Sequence, residues 1–365
     1  MEDQDEASFR QDFNAIHAPE ETLIRYRKFR SDLDKAAKKS AKPDTCCICG
    51  KENPKFCNSH TIPQYCLREI AVEGKLLTNA ALVGGNLLDT EVGIAQALTF
   101  KRICRKCDTE FFKLYETPET LLQEPSSQVM GQIAAKNLLR EISKAKQELG
   151  SQKVLGDKSP AMYDAMMDVR SIDVAEDEKA LQTALRVGGS AKPSNVYSIL
   201  YYKVLPYVVP FAFQQRVCLI SDFEGSVINN VYNRNPKYKM EPLDVCVLPS
   251  KGNTVVLLFA SSRAKRYRAF ARQLRLLADD EALEAIVKII FTYSEDVLIS
   301  KHLSESVLED ASLKQLARMN SCYIMLFHSL KGDVANAIHA AIDDYSISAL
   351  PDVPNLLSEQ YSLER

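Results

Sequence analysis

Tryptophan is absent from the 365 residues, so no recognition cage can be built on indole rings. Neither sign of charge dominates: 46 Lys and Arg stand against 48 Asp and Glu, a formal net of −2. That excludes a highly basic nucleic-acid coat, and any grip on phosphates has to use a local patch. Long hydrophobic runs are missing too. The most apolar stretch, 197–213, carries Lys203 and two prolines, whereas a membrane-spanning helix needs about 20 apolar residues. Residues 1–10 are acidic and polar, unlike a secretory signal, so the expectation is a cytoplasmic protein with no membrane partner. The chain has no P-loop, no dinucleotide-type GxGxxG and no GxSxG, which argues against an obvious nucleotidase, dehydrogenase or serine hydrolase. The composition, 46% apolar and 26% charged, is that of a globular protein. The length suits two or three domains.

Cysteine is plentiful by contrast, and clustered. Seven of the ten fall between Cys46 and Cys107. Disulfides rarely persist in the cytosol, so a cluster there points to metal. Cys46 and Cys49 close one C-x-x-C, followed by Gly50; Cys104 and Cys107 close another around Arg105 and Lys106. Two intervening residues let both thiolates of a tight turn reach one ion, and four thiolates make the closed tetrahedral set of structural zinc. The two pairs are separated by 54 residues, so something is inserted between them. Cys218, Cys246 and Cys322 stand alone in apolar segments and read as small buried hydrophobes.

The insert contains Cys57-Asn58-Ser59-His60-Thr61-Ile62-Pro63. Three readings of His60 are open: an ordinary polar residue, a zinc ligand paired with Cys57 at ligand spacing, or a general base. The second would strand Cys104 and Cys107.

A C-x-x-C, a His before Ile-Pro, then a strand leading into a second C-x-x-C and a helix: over residues 45–120 this resembles the zinc-knuckle branch of the HNH (ββα-metal) endonucleases. More loosely, Ser-His-x-Ile-Pro is similar to bacterial zinc-knuckle proteins of comparable length. The resemblance implies a treble-clef zinc site of Cys46, Cys49, Cys104 and Cys107, with His60 as general base. It makes Asp108 the helix ligand of a catalytic Mg²⁺ or similar ion. The family's carboxylate before the His is replaced by Ser59, a poor ligand for a hard cation, which leaves Glu116 or Glu110 to supply it. The implied activity is phosphodiester hydrolysis, by analogy as an effector in bacterial anti-phage defence; the alternative is a degenerate site that only binds nucleic acid or protein. Lys101, Arg102, Arg105 and Lys106 stand beside the proposed site, where they would either hold phosphates, with DNA favoured over RNA, or neutralise thiolates.

The rest of the chain reads as α+β. An N-terminal helix over 19–41 and a basic linker fill 1–44. The HNH-like zinc domain occupies 45–120, and a helical connector 121–190 holds helices at 129–149, 161–168 and 176–186. An α+β domain covers 191–365. Its strands are expected at 197–204, 208–213, 217–222, 227–230, 244–248 and 254–260, mainly antiparallel, with a hairpin turn at Lys251-Gly252-Asn253. A basic helix over 262–277 follows, with Tyr267, Phe270 and Leu274 as its apolar stripe and Arg266 and Arg272 as candidate phosphate contacts. Helices at 282–293, 304–316 and 331–343 close the chain and offer a surface to a second copy or another protein. His302, His328 and His339 have no ligand-spaced companion.

Overall fold

A computed structural model describes residues 20–83, 90–155, 160–231, 233, 235, 237–319 and 342–363, with backbone alone for 20, 22–23, 26–27, 30, 152–155 and 160–172. The expectations for residues 1–18, Cys322, His328, His339 and most of the 331–343 helix lie outside this set.

The fold is α+β. Its centre is an antiparallel seven-stranded sheet in the order β3-β2-β9-β6-β7-β8-β5. These strands are β2 (Lys75–Thr78), β3 (Glu91–Gly93), β5 (Tyr197–Leu205), β6 (Phe211–Val217), β7 (Leu243–Ser250), β8 (Asn253–Ser261) and β9 (Leu298–Ile299). A separate two-stranded ladder pairs β1 (Ser59–His60) with β4 (Thr99–Phe100), His60 opposite Thr99. β7 and β8 form the expected hairpin, with Lys251 and Gly252 both at positive φ (50° and 77°), the combination a tight two-residue β-turn requires.

The helices are α1 (Glu20–Ser40), α2 (Gln64–Ile70), α3 (Arg105–Phe111), α4 (Ser127–Leu155), α5 (Pro160–Gly188), α6 (Tyr267–Leu276) and α7 (Asp279–Tyr293), with several single turns besides. The sheet is covered on both faces, so its central strands read as continuous apolar runs instead of alternating ones. Phe213, Val245 and Leu258 point to the core shared with α6 and α7. Ala212, Cys246 and Leu257 point to the opposite core, shared with α2, α4 and the cysteine region. α6 buries Tyr267, Phe270, Ala271 and Leu274, an i, i+3, i+4, i+7 stripe.

Several boundaries differ from expectation. The helices expected at 161–168 and 176–186 are one, α5, because neither Gly nor Pro interrupts 161–187. It crosses α4 where a Cβ on Gly131 would lie 2.4 Å from the Gly188 nitrogen, so only glycine permits that approach. The strand expected at 208–213 begins at Phe211 and runs on to Val217 as β6, whereas the one expected at 217–222 is not formed: past Val217 only Ser221 makes an isolated bridge, to Val227. Residues 227–230 form no strand; the Asn229 amide ties the loop to the Leu219 and Glu241 carbonyls instead (2.8 and 3.0 Å). The helix expected at 304–316 divides into Glu305–Leu308 and a helical stretch at 311–319.

Candidate functional site

Cys46, Cys49, Cys104 and Cys107 come together, with all four sulfur atoms within 4.8 Å of one another. Local geometry explains the convergence. The first pair sits in a tight turn in which the Gly50 N–H donates to the Cys46 carbonyl (2.9 Å), and Gly50 adopts φ +69°. The second pair straddles the start of α3. The chains are stitched by Cys47 N–H to Arg102 O and Cys57 N–H to Ile103 O, both 3.1 Å. The Cys104 N–H points at the Cys46 sulfur (3.3 Å). Burial opposes ionisation of Cys46, but the amides of Cys49, Cys104 and Ile48 outweigh it and bring the thiol down to about 7. Burial and the adjoining thiols push Cys107 up. Four sulfurs this close repel as thiolates, and a bound cation relieves that, so the set can hold a metal ion.

Cys57 does not join them. Its thiol donates to the Ile103 carbonyl (3.3 Å), and burial, followed by the Asp108 charge, pushes it up to about 12. The Cys57–His60 ligand pair is therefore not formed.

The expected catalytic residues converge, but around a group the sequence reading missed. Lys136 of α4 is fully buried, and its ammonium lies 2.8 Å from Asp108 Oδ1 and 2.9 Å from Glu116 Oε1. It also donates to the Ser59 hydroxyl (2.8 Å), which in turn donates to Asp108 (2.6 Å). The Phe112 ring lies 4.2 Å away, a cation–π contact. The carboxylate pair expected to hold Mg²⁺ holds an ammonium instead. Against the cost of burial, Lys136 and Ser59 keep the Asp108 carboxyl below the usual range. Burial wins at Glu116 and raises it, so Asp108 is the stronger partner of the pair.

His60 is half-buried. Its Nε2 lies 2.9 Å from the Ile94 carbonyl, which can only accept, so Nε2 carries the hydrogen. The Gln64 amide nitrogen lies 3.2 Å from Nε2 and 3.5 Å from Nδ1. Burial lowers the ring below the usual imidazole range, and Lys136 adds to this. His60 is thus a neutral imidazole with one tautomer fixed and Nδ1 as the acceptor.

α4 organises more than this cluster. Tyr115 donates its hydroxyl to Thr61 O (2.9 Å) and its N–H to Gln132 Oε1 (2.9 Å), and it also bonds Gln214. Gln214 Nε2 donates to Asn137 (2.9 Å), and Asn137 Nδ2 to Asp244 (2.8 Å). A buried polar chain thereby runs from beside His60 to the sheet. Its far end opens on a cleft of about 1100 Å³, where Arg216 bridges Glu141 and Asp177 (3.0 and 2.9 Å).

Among the expected phosphate contacts, Lys101, Arg105 and Lys106 are exposed. Arg102 is not available: it is 4% exposed and donates to the Ala41 carbonyl (3.4 Å). Arg266 is also engaged, paired with Glu241 (3.4 Å) and bonded to Tyr238 and the Lys239 carbonyl. Arg272 is exposed. Among the described residues no helix is long and apolar enough to cross a membrane. No family model matches the chain, and neither a curated protein nor a solved structure matches it.

Proposed function

We propose that the chain is a zinc-knuckle protein that binds nucleic acid without metal-dependent hydrolysis. In this reading Cys46, Cys49, Cys104 and Cys107 hold structural zinc, the ion such a thiolate set favours. The ββα-metal-like site beside it is degenerate. The observation that carries the reading is the Lys136 ammonium at 2.8 and 2.9 Å from Asp108 and Glu116. A buried cation already neutralises the pair, so a divalent ion there would have to displace it against charge repulsion. Exposed Lys101, Arg105 and Lys106, beside the cysteines, support a phosphate-bearing partner.

A second reading, HNH-type phosphodiester hydrolysis, has one observation in its favour: His60 is neutral, with its tautomer fixed and Nδ1 as acceptor, the state a general base needs. One assay separates the two. Purified protein is incubated with DNA and with RNA, with and without added Mg²⁺ or Mn²⁺, beside the His60→Ala variant. The binding reading expects retention of nucleic acid and no divalent-stimulated cleavage in either protein. Divalent-dependent cleavage that falls by about 10²–10⁴-fold in His60→Ala would replace it with the nuclease.

A further inference from the structure

A groove of about 610 Å³ runs between α6 and the sheet edge formed by β5. One wall carries Arg268, Arg272 and Arg275. Steps of four and three residues put all three on one stripe of the helix, beside the apolar stripe that faces the core. The other wall offers the hydroxyls of Ser198, Ser261 and Ser262, with Ser198 and Ser262 hydrogen-bonded to each other (2.7 Å). No Asp or Glu lines the groove. Among the described residues of 262–277, Arg266 alone forms a salt bridge, so the three groove arginines face solvent without a counter-charge. Like charges at this spacing weaken a helix, a cost that a bound polyanion removes.

The chemistry of the lining selects the ligand. Arginine and serine are among the side chains that hold phosphate oxygens. The groove's one aromatic, Tyr267, is 1% exposed, so an unstacked base would find no ring to stack on. At about 1.5 Å per residue the three arginines span roughly 10.5 Å. One strand of a duplex presents a phosphate about every 3.4 Å of its axis, so the row spans about three phosphate-to-phosphate steps. We propose that this groove grips the phosphodiester backbone of duplex DNA without reading its sequence. The proposal rests on the nucleic-acid-binding reading above and gives that reading its principal surface.

The test is fluorescence anisotropy of a labelled DNA duplex with the full chain across a salt series. Wild type is compared with Arg268→Ala/Arg272→Ala/Arg275→Ala, with the corresponding triple Lys variant, and with Lys101→Ala/Arg105→Ala/Lys106→Ala. Three lost phosphate contacts should flatten the slope of log K against log salt by about 2.7, while the Lys variant keeps most of it. Single Arg272→Gln, a mild surface change, should flatten it by about 0.9. Unchanged slopes in the groove variants, with the change appearing in the knuckle variant instead, would overturn the groove and leave the binding reading intact. Tighter binding to a single strand or to RNA of equal length would overturn the duplex assignment. Wild-type protein that binds no nucleic acid at low salt would overturn both.

Discussion

Replacing Lys136 with Met keeps the unbranched stem but for its terminal nitrogen and deletes the charge. The ammonium is fully buried and serves two carboxylates at 2.8 and 2.9 Å, a serine hydroxyl at 2.8 Å and an aromatic face. Breaking a buried ion pair by removing one partner costs about 3–5 kcal/mol, because the other charge stays behind uncompensated. The Asp108 and Glu116 side chains retain 24% and 34% exposure, so water screens part of that charge and the lower end, about 3 kcal/mol, is expected. The effect also has a pH signature at Glu116. Burial already raises its carboxyl, and without Lys136 nothing opposes that. A raised carboxyl contributes stability in its protonated form, which is lost as pH rises through the folded-state value. Lys136→Met should therefore be less destabilising at pH 5 than at pH 8. Urea unfolding at both pH values measures this, with Lys136→Met/Glu116→Gln as the second arm. The double variant should recover part of the loss, since coupled neighbours show about 0.5–3 kcal/mol of interaction. A loss below about 1 kcal/mol at pH 8, or no recovery in the double variant, would show that the Lys136 ammonium does not compensate the two buried carboxylates.

Two further outcomes are expected. If the four cysteines hold a metal ion, Cys107→Ser should abolish its binding and unfold the cysteine region at 45–120, because binding energy at a thiolate site is folding energy; metal analysis and protease sensitivity check this, and wild-type metal content with native resistance would contradict it. Burial pushes Asp244 up to about 6, with Arg216 and the Asn137 amide only partly offsetting it, so the wild type should lose stability as pH rises from about 4 to 6, by roughly 3 kcal/mol. Asp244→Asn should abolish that part of the pH dependence, and identical pH profiles from urea midpoints would rule the effect out.

The four-cysteine cluster was legible from spacing alone, since two-residue gaps leave a thiolate pair few arrangements. The β7–β8 hairpin was legible for a similar reason: Lys251-Gly252-Asn253 carries turn chemistry between two apolar runs. Lys136 was not read, although a signal was present. It lies three residues from both Ile133 and Leu139, in the middle of the apolar face of α4, where a lysine needs a buried partner. The two carboxylates were singled out, but the cation that faces them comes from a helix assigned to a connector. Arg102 and Arg266 qualify as phosphate contacts by sequence but are engaged in the fold, because sequence shows charge but not the carbonyl or carboxylate that folding brings to it. The joining of β2 to the central sheet through β9 was likewise hidden, since Leu77 and Thr78 pair with Ile299 and Leu298, more than 200 residues away.

With the Lys136 ammonium between Asp108 and Glu116, the four cysteine sulfurs are the remaining candidate metal ligands. Metal analysis, with electron paramagnetic resonance of the protein titrated with Mn²⁺, tests it most directly. One zinc per chain, lost in Cys107→Ser, and no bound Mn²⁺ are expected. A second ion that binds the wild type and disappears in Asp108→Asn would contradict it.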